Sequence, residues 1–290
     1  LAIIRLASGL NLKTGRWLGR SLARLAASLR PAECQRADSN IALAFPELDT
    51  ASRKQIFNNS TTALGENFFD MLAVSKILGT DGLVREELTQ GHVPLVDQLK
   101  QLNIGGQGVL ILTGHLGCWE LLGGWIARSM AEAGLGELAV VTGSIHNPPV
   151  DRLIQRRRKN LGMKVLPRDG GAAPLLRHLR GGGVAAVLLD QNTRVENLPI
   201  PFFGRNAPTP LGFARIALGG GIPVLPVVIS KNGRGHLVRS SAYWVAPDHE
   251  INHEQALPEL LLWCNQQLEF YIRGNPAEWV WFHKRWTDPK

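Results

Sequence analysis

The sequence predicts an α/β protein with a mostly parallel central sheet and helices on both faces, preceded by a helical N-terminal part. From residue 105 onward, short β-branched apolar runs alternate with amphipathic helical segments, which is typical of parallel strands joined by helices. Of the 290 residues, 44% are hydrophobic, enough to bury one full core. We therefore predict a single domain over residues 1–290, with a helical portion at 1–75 and an α/β portion at 105–290.

A basic amphipathic helix is predicted near the N-terminus. Arg16, Arg20 and Arg24 recur every four residues on one face, and four leucines occupy another, namely Leu18, Leu22, Leu25 and Leu29. Such a helix can lie in the surface of an anionic membrane. It can equally pack its leucines on the core and leave its arginines in water. The spacing leaves both alternatives open.

The other elements follow from their periodicity and their end signals. Helices are predicted at 31–44, 50–75 and 93–102, with Asp49 or Thr50 capping the second and Pro94 in the first turn of the third. The second helix is expected to turn four side chains inward: Ile56, Leu64, Phe68 and Leu72. Strands are predicted at 108–113, 138–142, 163–166, 184–189, 222–229 and 236–244. The later helices are predicted at 118–133, 149–161, 172–180, 209–219 and 254–273.

The charge balance favours anionic partners. The formal net charge is +8, which suits a membrane surface or a phosphorylated substrate. With only 2 tyrosines and no zinc-finger or RNP-like spacing, nucleic acid is not an expected partner. The 3 cysteines are far apart, which indicates a reducing compartment. No uncharged apolar run reaches the roughly 18 residues of a membrane span, although an anchor could precede Leu1.

Residues 108–120, GVLILTGHLGCWE, carry the first chemical signal. A buried strand ends at Gly114, and a helical pattern begins near Cys118. If His115 lies on the intervening turn and Glu120 in the first turns of the helix, the carboxylate can hold the imidazole in one tautomer. The pair would then be a general base for a substrate hydroxyl. The alternative is a histidine that caps the helix and an acid favoured by the helix dipole.

A second carboxylate is expected at the same place in the fold. Asp190 follows the predicted strand VAAVLL, just as His115 follows its own strand. In open α/β sheets, sites form beyond the carboxyl ends of the strands, so both residues are expected at one edge of the sheet. Asp190 could contact polar groups of a substrate or support an arginine, or it could be a plain turn residue.

Several motifs in order resemble one enzyme family. TGHLGCWE, with its H-x4-E pattern, resembles the glycerolipid acyltransferases, and in particular the branch that adds late lauroyl or myristoyl chains to lipid A. The other matching segments are RADSNIALAFPEL from Arg36, the arginines before Gly162, DQN from Asp190, PIPFFGRNAPTPLG from Pro199, and WVWFHKRW from Trp279. One departure is Cys118, where the family more often has asparagine.

The resemblance implies a set of site residues. His115, Glu120 and Arg158 would be catalytic, with Arg158 and the backbone N–H groups at Gly117 and Cys118 as candidate oxyanion donors. Substrate binding would fall to Gly117, Arg157, Asp190 and Phe203. Four alternatives stay open. Arg156–Lys159 could form a solvated helix face or clamp a phosphate, and Phe202 and Phe203 could belong to the packing core. Cys118 could be a thiol nucleophile activated at a helix start, and the tryptophan-rich end could be a membrane belt or a packed terminus.

The resemblance also implies a reaction. A fatty acyl chain would pass from acyl carrier protein or coenzyme A to a hydroxyl of a lipid A precursor, in late lipopolysaccharide assembly, with no cofactor and no metal. The enzyme would act at the cytoplasmic face of the bacterial inner membrane, and the helical N-terminal part would associate with that membrane. The alternatives are a lysophospholipid or other membrane-lipid acceptor, a non-catalytic peripheral lipid-binding protein, and a Cys118 thioesterase.

Overall fold

A computed structural model describes residues 9–88, 93–143, 147–168, 170–193, 195–246 and 253–286. Its helices are α1 (Leu12–Ser28), α2 (Pro31–Ala44), α3 (Thr50–Leu72), α4 (Val74–Leu78), α5 (Leu95–Leu102), α6 (Trp119–Glu132), α7 (Pro148–Asn160), α8 (Ala172–Arg180), α9 (Gly212–Gly220) and α10 (His253–Gly274). Its strands are β1 (Val84–Glu86), β2 (Val109–Thr113), β3 (Leu138–Thr142), β4 (Met163–Pro167), β5 (Val184–Leu188), β6 (Asn197–Phe202), β7 (Arg205–Pro210), β8 (Val224–Asn232) and β9 (Gly235–Ser240).

The central sheet is mostly parallel, as predicted. Its seven strands run in the order β1-β9-β8-β2-β5-β3-β4. Pairing is parallel throughout except between β8 and β9, which form an antiparallel pair. β2 therefore lies between β8 and β5 near the middle of the sheet, and the chain segments that leave β2 and β5 emerge side by side.

Apolar side chains cover both faces of this sheet. On β2, Leu110 and Leu112 pack into one core with residues of α9 and α10, whereas Val109 and Ile111 pack into a second core with residues of α6. All five residues of β2 are buried. This two-sided burial explains why the strand reads as a continuous apolar run, and it confirms the prediction of helices on both faces.

The N-terminal helix has the reverse of one expected orientation, in which its leucines pack on the core and its arginines face water. α1 lies close against α3. The two backbones approach so closely that a Cβ at Gly19 would overlap the backbone carbonyl of Gly65. Its arginines point into the protein: Arg16 binds Asp70 at 2.7 Å and Arg20 binds Glu66 at 2.9 Å. Its apolar side chains face outward, with Trp17, Leu22, Leu25 and Leu29 all more than half exposed.

Several predicted boundaries are corrected. Residues 197–210 form an antiparallel hairpin, β6–β7, where a loop and the start of a helix were expected. Its turn places Phe203 and Gly204 at φ 52° and 70°, as a tight two-residue hairpin requires. The last strand of the sheet ends at Ser240. Phe68, expected to face inward, is 57% exposed, whereas its neighbour Phe69 is buried and meets Gly15 of α1.

Within the described part of the chain, none of the helices combines the length and the apolar character that crossing a bilayer requires.

Candidate active site

The turn between β2 and α6 positions His115 at the carboxyl edge of the sheet. Gly117 adopts φ +61°, and a Cβ there would overlap the carbonyl oxygen of Ile229, so the turn needs glycine. The C-terminal segment holds the same turn: Val280 N–H donates to the His115 carbonyl at 3.2 Å, and Gly117 N–H donates to the Glu278 carbonyl at 2.9 Å. His115 is thus fixed from two directions.

Asp190 holds the imidazole. His115 Nδ1 lies 2.8 Å from Asp190 Oδ1, and the His115 backbone N–H donates to Oδ2 at 2.6 Å. Gly114 allows this approach, because a Cβ there would lie 2.9 Å from Asp190 Oδ2. Since β2 and β5 are neighbours, the predicted common edge brings the two residues into contact.

The surroundings of Asp190 keep it ionised. Although burial alone would raise its pKa, the interactions with His115, His283 and Trp279 lower the pKa of Asp190 far below its ordinary value. Trp279 Nε1 donates to Oδ2 at 2.7 Å. An ionised carboxylate only accepts hydrogen bonds, so Nδ1 of His115 carries the proton and Nε2 carries the lone pair of a base.

His283 supports this pair from behind. Its Nε2 lies 3.1 Å from the Asp190 carbonyl oxygen and donates to it. Burial lowers the pKa of His283 to about 4, so the ring is neutral at physiological pH. This contact gives His283 a structural role beside the base.

Glu120 was predicted to hold the imidazole of His115, and this prediction is wrong. Its carboxylate binds Arg158 instead. The two side chains form a bidentate pair, with Arg158 Nε 3.0 Å from Oε2 and Nη2 bound to Oε1. Arginine's fork fits a carboxylate in this way, and both side chains are largely buried. The sequence motif therefore contributes its histidine and its acid to two different pairs.

A cavity of about 410 Å³ joins these two pairs. His115, Glu120 and Arg158 line it together with polar groups of Gln191 and Thr193. It continues along the sheet between apolar side chains that include the mid-strand residues Ile111, Val140 and Ala186. We call this space the active-site cavity. Its combination of a polar site with an apolar extension suits a ligand that has a reactive head and a hydrocarbon chain.

None of the four predicted substrate-binding residues lines the active-site cavity. Asp190 is fully buried behind His115. Arg157 donates to the carbonyls of Met71 and Leu72 at the end of α3, at 3.1 and 2.9 Å. Gly117 uses its N–H on Glu278, so that group is not an oxyanion donor. Phe203 is buried in the core, with its ring against Phe45 and its N–H bound to Glu269.

The thiol of Cys118 is not activated. It is buried against α3, where Sγ donates to the Asn67 carbonyl at 3.5 Å. Burial raises the pKa of Cys118 well above its ordinary value, with further repulsion from Asp70. This contradicts the expectation that a helix start would lower it, because desolvation of a buried thiolate outweighs the helix dipole.

Three contributors were not predicted as site residues: Gln191, Thr193 and Trp279. Gln191 and Thr193 follow Asp190 directly, so the same strand-edge argument could have found them. No local signal identifies Trp279 as a hydrogen-bond donor to Asp190, because 89 residues separate them. The tryptophan-rich end is a packed terminus, with Trp279, Trp281 and Trp286 all buried.

Comparisons with known proteins point to one enzyme family. The model of the bacterial lipid A biosynthesis acyltransferases matches residues 2–288. A lipid A biosynthesis acyltransferase of Haemophilus influenzae is 22% identical over 96% of this chain and 80% of its own length. Lipid A biosynthesis acyltransferase 2 of Shigella flexneri is 26% identical over 94% of this chain and 81% of its own length.

A second group of relatives is named for a different acceptor. The phosphatidylinositol mannoside acyltransferase of Mycobacterium tuberculosis is 24% identical over 195 residues, which is 66% of this chain and 58% of that protein's length. The match to this relative therefore spans somewhat more than half of it. With a family model that covers nearly the whole sequence, the chain belongs to the bacterial lipid A biosynthesis acyltransferase family.

Proposed function

We propose that this protein transfers a fatty acyl chain from an acyl carrier protein or coenzyme A thioester to a hydroxyl of a lipid A precursor. The observation that carries the proposal is His115, held by the ionised Asp190 at the polar end of an otherwise apolar cavity. Family membership supports the reaction class. The apolar extension of the active-site cavity supports a fatty acyl group as the part transferred.

His115 is the general base. Nε2 removes the proton from the acceptor hydroxyl as its oxygen attacks the thioester carbonyl, and the new C–O bond gives a tetrahedral oxyanion. Asp190 stabilises the imidazolium that forms, since its carboxylate accepts the hydrogen bond from Nδ1–H throughout. When the C–S bond breaks, the imidazolium returns its proton to the thiolate. The products are an ester and a free thiol.

Arg158 stabilises the oxyanion. Its guanidinium lies on the wall of the same cavity, and Glu120 fixes its orientation through two hydrogen bonds. A donor that is held in place before the reaction needs no reorganisation when charge develops, and losing one such donor typically costs about 10²–10³ in rate. Glu120 then acts on the reaction through Arg158.

The mycobacterial relatives support a second acceptor class. They are named as phosphatidylinositol mannoside acyltransferases, so another membrane lipid, or a lysophospholipid, is the alternative acceptor. The donor and the base would be the same in either case. Only the hydroxyl offered to Nε2 of His115 would differ.

Product mass distinguishes these acceptors. The purified protein and its His115→Ala variant are incubated with an acyl carrier protein or coenzyme A thioester as the donor. The acceptor is either an under-acylated lipid A or a lysophospholipid. We expect one added acyl chain on the lipid A, lost in the variant. Addition to the lysophospholipid alone would favour the alternative acceptor, and no addition with either acceptor and either donor would contradict acyl transfer.

We further propose that α1 docks the enzyme on the cytoplasmic face of the inner membrane. Its outward leucines and Trp17 would enter the bilayer surface, while its inward arginines fix the helix to α3. Sedimentation with anionic phospholipid vesicles tests this. Leu22→Glu/Leu25→Glu should lose binding, whereas Ile104→Glu/Phe270→Glu, which also replaces two exposed apolar residues, should retain it. Equal binding by both variants would contradict the docking.

A further inference from the structure

A second cavity, of about 560 Å³, lies outside the active site. It is bounded by α2, by the exit of the β6–β7 turn and by the C-terminal segment that carries His283. Its wall includes Arg36, Arg205 and Lys284, with amide or hydroxyl groups from Gln35, Ser39 and Asn206. We call it the basic cavity. None of its lining residues is acidic.

The three cations of the basic cavity, Arg36, Arg205 and Lys284, have exposed side chains. Within the described ranges, none of Arg36, Arg205 and Lys284 forms a salt bridge. Other exposed arginines of this protein do so, for example Arg215 with Glu196. Three like charges around one concavity repel one another, so they create a positive potential that an anion would relieve.

Hydrogen bonds fix the backbone beside two of these cations, Arg205 and Lys284. Arg205 directly follows the tight turn at Phe203 and Gly204, where Phe203 N–H donates to Glu269 at 2.7 Å. On the opposite wall, the Asn40 side chain donates to the carbonyls of Trp281 and His283, at 2.7 and 2.9 Å, and so fixes the backbone beside Lys284. A site whose backbone is fixed before binding loses little entropy when a ligand enters.

The chemistry fits a phosphate monoester. Phosphate oxygens accept several charge-assisted hydrogen bonds at once, arginine forks match their geometry, and amides and hydroxyls complete the shell. A concave site favours such a compact anion over the broad face of an acidic protein. We propose that the basic cavity binds a phosphate monoester, and that this phosphate belongs to the acyl acceptor.

The assignment to the acceptor rests on the proposed function and on one further contact. His283 links the basic cavity to the base along the chain: it directly precedes Lys284 on the cavity wall, its carbonyl is held by Asn40, and its ring is 6.0 Å from the ring of His115. A phosphate held in the basic cavity would therefore anchor a large phosphorylated lipid while another part of it reaches Nε2.

Phosphate binding is tested first, without any acyl transfer. Titration calorimetry with inorganic phosphate at low salt compares the wild type, Arg36→Gln/Arg205→Gln, and the charge-matched control Arg177→Gln/Arg180→Gln on α8. We expect the wild type and the control to bind equally, and the cavity variant to bind at least tenfold more weakly. Unaltered phosphate binding by a folded cavity variant would overturn the proposal, whatever becomes of the proposed function.

Kinetics then identify the source of the phosphate. In the cavity variant, we expect KM for the phosphorylated acceptor to rise at least tenfold, with kcat and the donor KM within about twofold. The wild type should show the same rise when a phosphatase has removed the acceptor's phosphates. An unchanged acceptor KM would overturn the assignment to the acceptor in favour of free phosphate, and a raised donor KM would overturn it in favour of the acyl carrier.

Discussion

At the scale of single residues, the two carboxylates of the candidate site stabilise two different cations. Asp190 is fully buried and faces an imidazole, whereas Glu120 is slightly exposed and faces a guanidinium. Leaving one member of such a pair buried without its partner costs several kcal/mol, about 3–5 in measured cases. Each pair should therefore respond to mutation as a unit, and each should affect a different step of the reaction.

Glu120→Gln should slow transfer by about 10²-fold, because an amide no longer fixes the guanidinium of Arg158 against the developing oxyanion. Arg158→Lys should cause a similar loss, since an ammonium lacks the fork that the carboxylate binds. The measurement is kcat at saturating donor and acceptor, with the exposed ion pair of Glu196 and Arg215 as the control site.

Two results would argue against this role of Glu120. A Glu196→Gln variant that loses as much activity would indicate a general effect of charge. A Glu120→Gln/Arg158→Lys double variant whose losses multiply would mean that the two residues act independently.

At the scale of elements, the sequence was sufficient to bring the reacting strands to one edge. The apolar runs before His115 and Asp190 predict parallel strands that end at the same side of the sheet, and the structure confirms this. Their direct contact could not be predicted, because it depends on β2 and β5 being neighbours, and strand order is set by packing between distant segments. The local spacing of His115 and Glu120 instead pointed to a contact that the chain does not make.

The orientation of α1 shows the same limit. Its four-residue spacing predicts an arginine face and a leucine face, but not which face turns inward. That depends on Glu66 and Asp70 of α3, which lie more than 40 residues away and bind the arginines. The β6–β7 hairpin was not predicted for two reasons. Its strands contain prolines, which are typical of loops, and the first residue of its turn is Phe203, where a turn with positive φ usually has glycine or asparagine.

Gly117→Ala should destabilise the protein by about 2 kcal/mol or more, because a Cβ would overlap the Ile229 carbonyl and the residue would keep a left-handed φ. Activity should fall as well, since the turn carries His115. Gly212→Ala is the control: no atom lies within 4 Å of its added Cβ, so its stability should stay within about 1 kcal/mol of the wild type. Urea unfolding measures both variants. Equal stabilities would contradict the packing described for this turn.

At the scale of the whole molecule, the C-terminal segment closes the active site. Trp279 donates to Asp190, Val280 to the turn of His115, and His283 to the Asp190 carbonyl. The chain's last described residues thus hold two strand ends that are distant in sequence. Folding stability and the geometry of the base are therefore coupled through this segment.

His283 should make stability depend on pH. In the folded protein its pKa is lowered to about 4, from an ordinary value of 6.5. As the pH falls from 6.5 to 4, His283 gains a proton in the unfolded chain but not in the folded chain. The free energy of unfolding therefore falls by up to about 1.4 kcal/mol per pH unit.

Urea unfolding at pH 6.5 and 4.5 checks the contribution of His283. His283→Gln keeps a donor near the position of Nε2 but does not titrate, so the variant should lose about 2 kcal/mol less than the wild type between the two pH values. Equal losses would mean that His283 is already protonated in the folded state.

The most direct measurement of the account is a double-mutant cycle on the base. Single-turnover acyl transfer is followed for the wild type, His115→Ala, Asp190→Asn and the double variant. If the two residues are one unit, each single change should cost about 10²–10⁴ in rate, and the double variant should be no slower than His115→Ala. An Asp190→Asn enzyme within about threefold of the wild type, or losses that multiply in the double variant, would contradict the account.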